Sequence, residues 1–439
     1  MSIKTLCLGL LILAYCIPGY TQAPDTAKLN RFFDRLAEKN KAMGTLCIVK
    51  DGKVQYSRSI GYSRISADGK IPASATTRYR IGSVTKMFTA TMIFQLAEKN
   101  RLKLSDTLGK YFPQMPNAGK ITIAHILGHR SGLPPIYADR ESRLPKTVPR
   151  TKEEMLASMA KGTPEFEPGA RYAYSNAGYF LLGCLIEKLT GEPYEKTLQE
   201  QITGKIGLHD TYPAGTTADN RESASFHYIS EWQNGPETHP SILFGAGFLV
   251  STPPDLAKFI RALFDGQLIS RSDLNRMIQE RSGIDTFQFA GKTYYGHTGG
   301  VDGFGAWLAY LPEEKLALAY ATNGKVYPVG NIMNGITDIY GNRPFTIPSF
   351  EPFAVSIDVL DKYVGVYGTS EAPVKFTITR NGATLYAQPP GQTSPFPLEP
   401  TAVDKFRLEG PGIVFEFDPA KKQMIVKRGG GQRVFNKEN

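Results

Sequence analysis

The sequence predicts an α/β (α+β) sandwich, in which helices and an all-helical subdomain flank an antiparallel sheet, followed by a small β-barrel. Helical periodicity opens the chain, short strands follow, a helix-rich middle comes next, and strands return. Pro344, Pro348 and Pro352 then cluster where the composition changes. Beyond them helix signals stop, and short alternating runs separated by turns remain. The 439 residues suffice for two domains. We divide them into a targeting segment (1–21), an α/β domain (22–342), a linker (343–356) and a barrel (357–439).

Leu29, Phe32, Phe33 and Leu36 form a helical stripe within 26–40. Residues 45–50 and 53–60 read as strands joined by Asp51-Gly52, a hairpin turn. Gly82 permits a sharp entry into the apolar run that follows Ser83. A helix is expected over 121–127, a proline-rich loop over 131–150, and a short amphipathic helix over 151–161. Residues 177–189 form an apolar helix stopped by Gly191, and Ser251-Thr252-Pro253-Pro254-Asp255 opens another. Two strands are expected between 296 and 322, turning at 311–315. In the tail, strands are expected at 374–379, 384–387, 405–408, 413–417, 424–427 and 433–435, with Asn381-Gly382 turning the first pair.

Composition is that of a folded chain: 41% apolar, 11% aromatic, 21% charged. The net charge of +10 is dispersed, with no basic block interleaved with aromatics, which argues against a nucleic-acid partner. After the N-terminus no window of eighteen apolar residues occurs, so no transmembrane helix is expected. Lys4, the apolar run 6–17 and the small residues around Thr21 read as a signal peptide cut before Gln22, implying a periplasmic or secreted protein. Leu13-Ala14-Tyr15-Cys16 misses a lipoprotein box because Tyr15 is too large. Cys47 and Cys184 remain after cleavage, each in an apolar run, and read as buried thiols, although export leaves one disulfide open.

The chemistry-bearing stretch is Ser83-Val84-Thr85-Lys86. Three residues apart on a helix, a hydroxyl and an amine share one face. Such an amine can activate the hydroxyl once burial lowers its pKa, and the helix start offers free N–H groups to an oxyanion. The same spacing at Ser158 and Lys161 ends a charged helix with no turn before it and reads as surface. Tyr174 and Asn176, two apart in an extended segment, would face one cleft. In Gly296-His297-Thr298-Gly299-Gly300, His297 and Thr298 can contact a substrate carboxylate or carbonyl, and Gly299 and Gly300 remove side chains where a substrate must approach. His125 and His129 have a zinc-compatible spacing without a third ligand and read as packing and hydrogen-bonding residues. No cofactor or metal is implied.

These three motifs, in this order, resemble the serine β-lactamase and penicillin-binding-protein superfamily, and most of all its class C-like branch. The resemblance covers roughly 29–340 and includes ITIAHILGHRSGL (121–133), FEPGARYAYSNAGY (166–179) and GAGFLVSTPPDL (245–256). It implies that Ser83 is acylated, that Lys86 is its base, and that Tyr174 shares proton transfer and serves the leaving group and attacking water. Asn176 would orient Lys86 and the substrate amide, and the N–H groups of Ser83 and Gly300 would form the oxyanion hole. His297 stands where the family usually has lysine, and a neutral imidazole anchors a carboxylate less firmly than an ammonium. That favours an esterase or a D-amino-acid-type peptidase, acting on a small-molecule or peptide substrate, over an efficient β-lactamase. The alternatives are a penicillin-binding or sensor module with little turnover and a true class C-like β-lactamase. Residues 360–367 (LDKYVGVY) resemble the start of the lipocalin-like C-terminal domain found on some members. The sequence does not fix the oligomeric state.

Overall fold

The Asp51-Gly52 turn shows how local chemistry builds the sheet. Both residues take positive φ (50° and 78°), the geometry of a two-residue hairpin that joins Ala42–Lys50 to Lys53–Ile60. The structure is a computed structural model and describes residues 24–136, 146–215, 221–351, 353–389, 395–408, 413–428 and 431–438. The segment expected to be a signal peptide and part of the loop expected over 131–150 lie outside the described residues.

The main sheet is antiparallel throughout, in the order Asp285–Phe289, Lys292–Val301, Phe304–Leu311, Leu316–Lys325, Ala42–Lys50, Lys53–Ile60. The first strand of the chain therefore pairs with the last strand of the domain, Leu46 opposite Tyr320. Alternation assigns the faces. Leu46 and Ile48 pack under the helices Thr26–Glu38 and Val329–Tyr340. Cys47 and Val49 pack under Thr85–Glu98, Asn176–Thr190 and Pro253–Phe264. The Thr85–Glu98 helix is buried continuously from Thr85 to Leu96, so it is wrapped on all sides rather than laid on a surface. Cys47 and Cys184 are buried and free, and desolvation raises both thiols, to about 11 and about 12.

Several expectations are corrected. Three strands, not two, fill 292–325, because Asp302-Gly303 is itself a turn, with Asp302 at φ 51°. The 121–127 helix is shorter, Ile123–Leu127, because Thr122 caps it from outside. The helix expected to begin near Ser251 starts at Pro253 behind a Thr252 cap.

The tail closes into an antiparallel barrel of eight strands. Gly365–Thr369 and Phe396–Ala402 add to the six expected, and a short helix, Ile357–Asp361, precedes them although no helix was expected there. Its interior is filled by Tyr363, Tyr367, Phe406, Phe415, Phe417, Met424 and Phe435. Residues 343–351 do not hang free: Phe345 packs edge-on to Phe32 at 5.1 Å, and Lys39 pairs with Glu351 at 2.7 Å. Lys41 reaches Glu399 of the barrel at 3.3 Å. Among the described residues no helix is long and apolar enough to cross a membrane.

Candidate active site

Ser83 lies in a single 3₁₀ turn, Gly82–Val84, that feeds the buried helix. Gly82 has φ 51°, and a Cβ there would stand 2.7 Å from the Gly300 nitrogen, so glycine is required on both counts. One helical turn on, Lys86 is 0% exposed. Its Nζ lies 3.0 Å from Ser83 Oγ, 2.8 Å from Asn176 Oδ1 and 2.6 Å from the Ala246 carbonyl. No carboxylate is within ion-pair distance of it among the described residues, and burial pulls its pKa well below the ordinary lysine value.

Tyr174 precedes the Asn176–Thr190 helix, and its hydroxyl lies close enough to Ser83 for the serine to favour the ionised phenol. The residue is 45% exposed, yet its ring stands over Lys86 Nζ at 4.9 Å, so its open face forms the cleft wall while its phenol end points inward. Burial of that end raises the phenol pKa, keeping it a proton donor. The sequence placed Tyr174 and Asn176 together through strand alternation. The structure brings them together differently: Ser175 caps the helix by accepting from the Gly178 N–H at 3.2 Å, and Asn176 is its first residue.

His129 positions Tyr174. Its ring stacks on Tyr174 at 4.5 Å, and its Nδ1 accepts the Ser175 N–H at 3.0 Å. Desolvation and nearby Lys86 push its pKa down to about 3, so it is a neutral acceptor. His125 does a separate job, accepting the Thr122 N–H at 3.3 Å in a capping box. His129 sits beyond the helix end at φ 56°, so the two do not share a helical face. Among the described residues no group of three metal-ligating side chains is assembled.

On the third motif, Asp285–Phe289 pairs with its neighbour only as far as Gly296, so from His297 onward that strand edge is open. Gly299 packs against the Ser83 turn, where a Cβ would stand 1.9 Å from the Ile81 carbonyl. Its glycine thus serves the fit of strand to nucleophile turn, and it is Gly300, with no atom closer than 4.0 Å to a built Cβ, that opens toward a ligand. Thr298 alternates to the opposite face from His297, across from Trp307. His297 is buried, with Nδ1 2.5 Å from the Thr298 carbonyl and Nε2 3.9 Å from Asp285 Oδ2. A carbonyl only accepts, so Nδ1 carries the proton and Nε2 is left as an acceptor. Burial first, then Lys86, lowers its pKa to about 4. A neutral His297 whose N–H is already engaged is poorly suited to grip a carboxylate.

Two contributors escaped the sequence reading. The Ala246 carbonyl has no side-chain signature. Arg281, which donates to Asp285 at 2.8 Å and stacks on Tyr172 at 5.0 Å, sits in an exposed turn that carries no motif.

The beta-lactamase family profile matches residues 29–336. The chain belongs to that family. It is a serine hydrolase of the β-lactamase and penicillin-binding-protein fold in the general sense. Among its relatives, the D-alanyl-D-alanine-carboxypeptidase/endopeptidase AmpH of Escherichia coli (strain K12) is 26% identical over 356 residues, covering 73% of this chain and 91% of its own. The octameric penicillin-binding protein homologue from Pyrococcus abyssi is 26% identical, with a TM-score of 0.64 across 94% of this chain and 100% of that one. A D-stereospecific amidohydrolase from Streptomyces sp. is 26% identical with a TM-score of 0.58, over 69% of this chain and 95% of that one.

Proposed function

We propose that this family member is an exported hydrolase that forms an acyl-enzyme on Ser83 and cleaves an ester or an amide of D-amino-acid type. One observation carries the reading: Lys86 Nζ is fully buried 3.0 Å from Ser83 Oγ, with no carboxylate within ion-pair distance among the described residues. The carbonyl oxygens of Asn176 and Ala246 can only accept, so they take its two hydrogens. In the neutral amine, which burial favours, the remaining lone pair is available to the Ser83 hydroxyl 3.0 Å away. An amine buried without a carboxylate is held in that form.

The steps follow from the placement. Lys86 takes the Ser83 proton as Oγ attacks the carbonyl carbon. The oxyanion settles on the N–H groups of Ser83 and Gly300, which the Gly82 and Gly299 contacts hold in close approach. Tyr174, a phenol beside Ser83 and Lys86, passes a proton to the departing amine or alcohol, and Lys86 supplies the replacement. Water then enters where the leaving group stood, loses its proton to the same pair, and releases the acid.

The Streptomyces amidohydrolase and AmpH support a D-amino-acid-type substrate. The engaged His297 supports an esterase or amidase over an efficient β-lactamase, because a β-lactam carboxylate finds no ammonium in that position. Intact mass after a fluorophosphonate should show one adduct, lost in Ser83→Ala. Short-chain esters and D-amino acid amides should turn over faster than nitrocefin. An adduct that persists in Ser83→Ala overturns the assignment.

A further inference from the structure

The cleft continues past Gly300 into a cavity of about 410 Å³ whose walls include Asn176, Gly300, Thr238, Asp302, Lys146 and Lys325. Its direction is set by the proton path. Tyr174 serves the leaving group, so that group lies at the Tyr174–His297 end. The cavity at the Gly300–Asp302 end receives the acyl half of the substrate.

Lys325 is the group in that wall that the mechanism does not use. It ends the strand Leu316–Lys325, and its Nζ donates to the Phe304 carbonyl at 2.6 Å and the Gly303 carbonyl at 3.2 Å. An ammonium has three N–H donors, so one remains. No carboxylate stands within ion-pair distance of it among the described residues. Asp302, the nearest acid in the wall, spends both oxygens on Thr238, accepting from its N–H at 2.7 Å and its hydroxyl at 2.9 Å. Burial lowers the lysine pKa to about 8, and Asp302 across the cavity partly opposes that by favouring the charged form. Lys146 adds a second, exposed cation at the rim. Two lysines against one carboxylate leave this end of the cleft positive.

We propose that Lys325 is a specificity-determining residue that binds a carboxylate carried on the acyl half of the substrate, so that the preferred substrates are acyl-side acids. This rests on the Ser83 acyl-enzyme reading and names its substrate class. The anchor that the third motif gives up at His297 is thereby supplied on the opposite side of the scissile bond.

The test compares three p-nitroanilides with one leaving group: N-acetyl-, N-glutaryl- and N-(4-aminobutyryl)-D-alanine p-nitroanilide. The wild type should favour the glutaryl over the acetyl substrate in kcat/KM by roughly ten- to a hundredfold, the scale of one charge-assisted hydrogen bond. Lys325→Met should bring that ratio toward one, and Lys325→Arg should keep most of it. A purely structural lysine would lower both rates together and leave the ratio intact, which overturns the proposal. Parity of the two substrates on the wild type overturns it as well. A preference for the amino-terminated substrate does so by making Asp302 the reader. Should Lys325→Met fail to fold, Lys325→Gln, which can still donate to a carbonyl but carries no charge, takes its place in the comparison. Loss of acetyl-substrate turnover in Ser83→Ala checks the acyl-enzyme reading by itself, so the two failures are distinguishable.

Discussion

Beneath the helices of the α/β region lie an amine and two imidazoles, Lys86, His129 and His297, each less than 4% exposed. Inside the barrel lie Tyr363, Tyr367, Phe406, Phe415 and Phe417, with rings packed edge-on or stacked at 4.7–5.8 Å. The barrel's two core tyrosines are fully engaged: Tyr363 donates to Asp404 at 2.6 Å, and Tyr367 to the Tyr363 carbonyl at 2.9 Å. Both interiors are buried, but they are buried for different ends. In the barrel, burial removes apolar surface from water and the hydroxyls of the two core tyrosines close on neighbours. In the α/β region, burial holds ionisable groups neutral, at a cost in stability, and leaves a lone pair or a proton available for chemistry.

The difference predicts how each region fails. Lys86→Arg introduces a fixed cation with no lone pair to give, and Lys86→Met has neither charge nor lone pair. Both should lower kcat by roughly 10³-fold or more while the fluorophosphonate adduct on Ser83 forms far more slowly. If Lys86→Arg retains turnover, the neutral-amine account is lost, and with it the contrast. Phe417→Ala should do the reverse. Removing a ring that meets Tyr363, Tyr367 and Phe406 should destabilise the barrel by about 3–5 kcal/mol. Turnover per folded molecule should not change, because no described barrel residue lines the cleft beside Gly300. A denaturant melt and active-site titration of the same sample would show both halves of that outcome. A fall in kcat in the folded Phe417→Ala protein would mean that the barrel takes part in the site.

How much of this was legible beforehand follows the same division. The pairing of Ser83 with Lys86 was open to inspection because helical spacing fixes it locally. The alternation of apolar residues announced the barrel, but only six strands, because Gly365–Thr369 and Phe396–Ala402 are interrupted by glycine or proline where strand patterns weaken. Three things were hidden. The pairing of Ala42–Lys50 with Leu316–Lys325 spans the whole domain, and no local pattern encodes it. The Ala246 acceptor is backbone, so no residue type marks it. His129 and His125 look alike in sequence, four residues apart, and only the chain reversal at the left-handed His129 sends one to Tyr174 and the other to a helix cap.

The mildest expected effect is a pH dependence that belongs to the α/β region alone. His129 and His297 have folded pKa values of about 3 and about 4, below the unfolded value near 6.5. As pH falls below about 6.5 the unfolded chain takes up protons at these positions and the folded chain does not, so the unfolded state is favoured increasingly. Below the folded values both states are protonated and the effect saturates. Each histidine therefore contributes a loss of stability as acid is added, on the order of 3 kcal/mol between pH 6.5 and 4. His129→Asn and His297→Asn should flatten the decline of the melting temperature in that window, with the double variant flatter than either. The barrel, whose core carries no histidine, should show no matching histidine-dependent step. Superimposable pH profiles for wild type and double variant would mean that the two imidazoles gain protons without opening the core, and that the α/β interior is wetter than its burial implies.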